Sequence, residues 1–277
     1  MFETIIEMFS YTFLVRAIVV GLAVSLCASL LGVSLVLKRY SMIGDGLSHV
    51  GFGSLAIATA LNIAPLTISI PVVVLAAFFL LRISENSKIK GDALVALIST
   101  SSMALGVIVI SITTGMNTDV CNYMFGSILA MNRTDVYISI FLSSIVLIFY
   151  ILFYNRIFAV TFDENFARAI GMNTNIYNTL IAILTAITIV LGMRMMGALL
   201  ISSLIIFPSL TSMRLYKKFK TVVICSAIIS VVCFFIGIVF SYLHATPTGA
   251  SIVAINILMF LLFSMISVIK KYYRICK

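Results

Sequence analysis

The chain reads as an all-α polytopic membrane protein with eight or nine transmembrane helices, and three observations predict it. Of its 277 residues, 62% are hydrophobic and 10% are charged, more apolar surface than one soluble core hides. Apolar runs recur along its length, several close to the roughly 20 residues that cross a hydrocarbon core and free of internal charge. None shows the short alternating pattern of barrel strands, so helices are the spanning elements.

The runs lie at 12–37, 45–62, 64–81, 93–115, 135–155, 175–192, 197–212, 221–243 and 250–269, each bounded by charge, Gly, Pro or Asn. The first is too long for the core of a signal peptide and lacks a small-residue cleavage pattern, so the mature chain is expected to begin at Met1. The next two are separated only by Asn62-Ile63-Ala64-Pro65, a tight turn. The 197–212 segment is short enough to be partly re-entrant near Pro208. These two places leave the count between eight and nine. The longest connections, 116–134 and 156–174, are too short for a second folded unit, so residues 1–277 are expected to form one membrane domain.

Charge fixes the expected orientation. Fifteen of the eighteen Lys and Arg residues fall on one side, and only Arg16, Arg133 and Arg194 on the other. The larger set is expected to be cytoplasmic, with the C-terminus inside; if nine runs cross, the N-terminus is outside. The net charge of +9 therefore reads as membrane topology and not as a nucleic-acid surface. The five cysteines form no CxxC pair and read as small buried hydrophobes. No GxxxxGK[ST] loop is present, so the chain has no such phosphate cradle and is not expected to be an enzyme itself.

An ionisable group inside the bilayer costs at least about 2.5–3.5 kcal/mol and needs a reason. Asp45 and His49 stand in Gly44-Asp45-Gly46-Leu47-Ser48-His49. The flanking glycines disfavour a regular helix, and Asp45 is a natural N-cap for the run that follows. A helix beginning there stacks residues 45 and 49 on one face, within reach of one ion. A carboxylate with an imidazole suits zinc and tolerates manganese or ferrous iron, whereas thiolates or thioethers would point to copper. Two ligands are too few for a closed structural site, which fits an ion that must leave again. The alternative remains open: Asp45 caps a helix near Lys38 and Arg39, and His49 is a satisfied helix histidine.

The other histidine, His244, lies in an outer turn, as an external cation guide or an interfacial loop residue. Asp119 and Asp135 are outside acids, read as solvated loop charges or cation attractors. Met193, Met195 and Met196 read as gap fillers. On the inner side, Asp163 to Gly171 has the pattern of a short amphipathic helix with acids in its first turn and a glycine stop. It suits either a docking element or a helix lying on headgroups.

The stretch Leu37-Lys38-Arg39-Tyr40-Ser41-Met42-Ile43-Gly44-Asp45-Gly46-Leu47-Ser48-His49 resembles the signature of the metal-ion ABC transporter permease family, whose members import zinc, manganese or iron. Three further stretches agree in order: Tyr123-Met124-Phe125-Gly126-Ser127, the run from Gly197 to Pro208, and Thr161 through Gly171. The wording is closest to zinc importer permeases. The resemblance implies a type II ABC importer permease fold with discontinuous helices. It implies a homodimer in the lipid bilayer, two cytoplasmic ATPase subunits and an extracellular metal-binding protein. No permanent cofactor is implied, the Zn2+ (or Mn2+ or Fe2+) being cargo. It assigns Asp45 and His49 as path ligands, and Glu164, Ala167, Arg168 and Gly171 as docking positions in a coupling segment at about 161–173. Many members carry an acid before the Thr-Pro of the last outer turn, where this chain has Ala245 beside His244. A third ligand is therefore not transferred.

Two other classes compete. An ion-coupled secondary transporter or channel would need no ATPase. An intramembrane aspartyl protease would need a second aspartate within the membrane, and no other apolar run contains one in its interior.

Overall fold

The computed structural model describes residues 8–86, 91–113 and 132–275, and the elements among them are helices. The long ones are α1 (Thr12–Leu37), α2 (Ser41–Ala60), α3 (Pro65–Asn86), α4 (Gly91–Thr113) and α5 (Arg133–Leu152). Two short helices follow, α6 (Tyr154–Phe162) and α7 (Glu164–Ala169). The last long ones are α8 (Thr174–Met196), α9 (Ala198–Leu215), α10 (Phe219–His244) and α11 (Thr248–Ile275). Asp119, Cys121, Cys276 and the Tyr123–Ser127 motif lie outside the described residues.

Each of the nine apolar runs falls on one of these long helices, yet among the described residues seven helices are long and apolar enough to cross a membrane. The two that differ from expectation are α2 and α3. Helix α2 carries Asp45, His49 and glycines and serines, and packs against α4, α3, α9 and α8 instead of lipid. Helix α3 has a shorter apolar stretch, Pro65–Leu80. A helix enclosed by other helices has no need of the hydropathy that lipid contact demands.

Helix α1 is the central post, with 78% of its apolar window buried against 11% for α11 and 17% for α4. Small residues let its neighbours approach. A Cβ on Gly32 would stand 2.0 Å from the Ile205 carbonyl oxygen, so only glycine permits this crossing of α1 and α9. Serine hydroxyls tie α10 to α1 in turn: Ser226 donates to the Ser29 carbonyl at 3.3 Å, and Ser230 to that of Ser25 at 2.9 Å. Cys27, Cys225 and Cys233 are free thiols.

Backbone capping sets the breaks that position the site. Helix α1 ends in a Schellman turn, with Tyr40 N–H bonded to Leu35 O and Arg39 N–H to Val36 O. Arg39 takes the left-handed conformation (φ 61°), which non-glycine residues adopt infrequently. This turn starts α2 at Ser41, so Asp45 lies in the second turn of a continuous helix and is not its N-cap. The Asn62 turn has the same form, with Asn62 at φ 54° and Pro65 opening α3. Between α8 and α9, Gly197 sits at φ 83°, ψ 161°, a region essentially confined to glycine. The expected re-entrant segment is instead an 18-residue helix that runs through Pro208. Ser209, beside the proline, donates to the Ile205 carbonyl at 3.0 Å, whereas the carbonyl that loses its helical N–H to Pro208 is that of Leu204.

Candidate metal-translocation site

Helix α2 presents Asp45 and His49 one turn apart on one face, with His49 Nε2 3.7 Å from Asp45 Oδ2. That is too long for a hydrogen bond. Two donors of one tetrahedral ion, each about 2.0–2.2 Å from it, lie about 3.4 Å apart. Small movements therefore bring both onto one cation. The His49 side chain is 23% exposed and that of Asp45 50%, so the pair faces open space. Close packing fixes the backbone behind it: Gly44 abuts Ile205 of α9 and Gly46 abuts Val95 of α4.

A third polar group, a hydroxyl, was not legible in the sequence. Ser202 of α9 bonds Asp45 Oδ1 at 3.3 Å and shares its proton with the Ala198 carbonyl, also at 3.3 Å. It leaves Oδ2 free toward His49. Ser202→Ala is expected to weaken half-saturation for metal by a few fold, on the order of one hydrogen bond to a charged group, with Ser202→Thr near wild type. Uptake titrations check this; unchanged half-saturation in Ser202→Ala would count against the contact. Among the described residues, no group of three or more His, Cys, Asp or Glu side chains converges on one point.

His244 has different partners. It ends α10, exposed, its ring stacked on Phe240 at 4.3 Å with Nδ1 3.2 Å from the Phe240 carbonyl. The next residue, Ala245, holds the left-handed conformation at φ 50°. Asp135 is not a solvated loop charge. It occupies the first turn of α5 and takes two nitrogens of Arg194, in the last turn of α8, at 2.9 and 3.2 Å. Both side chains are largely buried, and each sits at the helix end whose dipole it complements. Met193 and Met196 are buried packing residues, under Gly51 and Gly21 respectively.

At the other end, α7 forms as its sequence implies. The Asp163 carboxylate caps it by accepting from Phe166 N at 2.9 Å, and Gly171 at φ 83° closes it. Of the four expected docking positions, Ala167 is fully buried and Glu164 turns inward, bonded by Lys38 at 3.2 Å and Arg168 at 2.8 Å. Burial pushes the Glu164 carboxyl up, but Lys38, Asn178 and Arg168 outweigh it and hold it below the ordinary value. Arg168 and Gly171 reach the surface, beside exposed Phe162, Phe166 and Ile170.

The match that decides the family covers nearly all of this architecture: the model of the ABC 3 transport family aligns with residues 10–267. The chain belongs to the ABC 3 transport family. It is 30% identical, over 91% of its length and 97% of the relative's, to the high-affinity zinc uptake system membrane protein ZnuB of Haemophilus influenzae. It is 29% identical, over 98% of both chains, to the manganese import system permease protein ScaB of Streptococcus gordonii. A probable iron transport system membrane protein of Haemophilus influenzae is 32% identical over 94% of this chain and 92% of its own. Among solved structures, PsaBC from Streptococcus pneumoniae in complex with Fab matches with a TM-score of 0.84 at 28% identity, covering 94% of each chain. This ABC 3 member is thus a multi-pass membrane permease of a metal-ion ABC transporter, a transport subunit in a system whose family pairs it with an ATPase and a substrate-binding protein.

Proposed function

We propose that this permease imports a divalent transition metal ion, with zinc as its leading cargo, as a homodimer joined to two cytoplasmic ATPase subunits and supplied by an extracellular metal-binding protein. The C-terminus lies in the cytoplasm of the cell that makes it. Asp45 and His49 hold the ion transiently, and α7 receives the ATPase, with Glu164, Ala167, Arg168 and Gly171 forming the docking segment. The observation that carries the reading is the facing pair on α2, a carboxylate and an imidazole 3.7 Å apart with open space beside them.

The chemistry follows from incomplete coordination. A saturated zinc site uses four protein ligands, whereas a site that keeps open positions exchanges its ligands. Asp45, His49 and the Ser202 hydroxyl supply enough donors to strip part of a hydration shell without trapping the ion. Transport also needs two states that hold the ion differently, and ATP binding at the partner subunits supplies the bias between them. A manganese or iron reading is favoured by the same O/N donors, which both ions accept, and by relatives named for manganese and iron.

Reconstituted vesicles test this. Uptake is expected to stop when ATP alone is removed while ion gradients are held, and zinc is expected to displace manganese and ferrous iron in competition. Uptake that persists without ATP would identify a secondary transporter instead.

A further inference from the structure

Lys38 closes α1 just before the strained Arg39 turn, and its side chain is only 8% exposed. Its ammonium donates to Glu164 of α7 at 3.2 Å and to the side-chain oxygen of Asn178 in the second turn of α8. Asn178, itself buried, donates back to Glu164 at 3.3 Å. Arg168 completes the cluster, holding Glu164 at 2.8 Å and Thr174 at 2.8 Å. One buried cation therefore bolts α7, the start of α8 and the α1–α2 junction to one another.

A second feature keeps this joint stiff. A crevice lined by Leu35, Lys38, Tyr40, Ile43, Asn178 and Thr185 lies between the first turn of α2 and the face of α8. Well-packed interiors resist displacement, because overpacking a filled core costs about 1–3 kcal/mol. At about 10 Å³ the crevice holds no more than one water, so Tyr40 and Ile43 stay closely packed and a displacement of the joint is passed to the turn that precedes Asp45. A buried ion pair is weak evidence for stability, since apolar replacements often do as well. Its fixed geometry is better suited to holding register between elements.

Building on the importer reading, we infer that Lys38 is a positioning residue for transport: it joins α7 to the α1–α2 junction, so that a push on α7 reaches the turn that carries Asp45. Glu164 then serves inside the permease as the anchor of that joint, and the partner is received by the exposed side of α7. Force applied at α7 has a short rigid route, through Glu164 and Lys38, to the start of α2.

The experiment uses the whole complex in vesicles and reads zinc carried per ATP hydrolysed, with co-purification of the ATPase subunit as a second readout. Lys38→Met is expected to keep the ATPase bound and hydrolysing, because Glu164 retains Arg168 and Asn178, while zinc per ATP falls about tenfold, a typical coupling magnitude. Lys38→Arg, which keeps the charge, is expected to restore most of the ratio. Asn178→Ala cuts the cluster at another corner and is expected to show a drop of a few fold. Should Lys38→Met carry zinc per ATP like wild type, or lose its ATPase subunit, the joint is refuted. A wild-type complex without ATP-driven uptake would instead remove the importer reading, a distinguishable failure.

Discussion

His49→Ala and Asp45→Ala are each expected to cut ATP-driven metal uptake by at least about 100-fold. Removing even an outer-shell partner of a metal ligand costs roughly 10–100-fold, and these two are the donors themselves. Among the described residues no group of three or more His, Cys, Asp or Glu side chains forms a fuller ligand set elsewhere. Without His49 the ion meets one carboxylate and a serine hydroxyl, a donor set that holds zinc poorly. Both alanines suit a helix interior, so the fold has no reason to fail. His244→Ala is the internal control: its imidazole stacks on Phe240 at the end of α10 and is expected to leave uptake close to wild type. Growth of a metal-starved uptake-deficient strain measures all three, and full growth of both α2 variants would end the site assignment.

The second large effect concerns stability. Breaking the Asp135–Arg194 pair from one side, by Asp135→Leu or Arg194→Met, is expected to destabilise the permease by about 3–5 kcal/mol, because a largely buried charge is left without its partner. The double replacement Asp135→Leu/Arg194→Met is expected to recover much of the loss, since two apolar side chains of similar size need no compensation. Asp135 also meets the Asn132 N–H at 3.3 Å, so part of the Asp135→Leu loss is that of a capping box and will remain in the double variant. Thermal unfolding in detergent reads the series. Single variants as stable as wild type would show that the pair is solvated and interchangeable.

What could be read from the sequence, and what could not, divides by range. Apolar length and bounding charge placed the long helices to within a few residues, because hydropathy is a local property. The i, i+4 relation of Asp45 and His49 was equally local and is present in the structure. The helix start before Asp45 was misplaced: the decisive turn depends on Arg39 in a left-handed conformation, and arginine carries no signal for that. Pro208 reads locally as a stop, but α9 runs through it among buried neighbours. Contacts between distant positions were illegible. Asp135 and Arg194 are 59 residues apart, Asp45 and Ser202 157, and Lys38 and Glu164 126. Only the packing of whole helices brings such residues together, so neither the pairing of Asp135, which looked like a loop charge, nor that of Glu164 in the docking segment was visible.

If an imidazole on α2 touches the transported ion, zinc-edge X-ray absorption of the zinc-loaded complex will detect it. Because the chain has two histidines, two variants assign the imidazole signal. The expected spectrum shows oxygen and nitrogen neighbours at about 2.0–2.1 Å with the multiple scattering of a ring. That ring signal is expected to vanish in His49→Ala and persist in His244→Ala. A spectrum unchanged by His49→Ala, or one dominated by sulfur, would contradict the account.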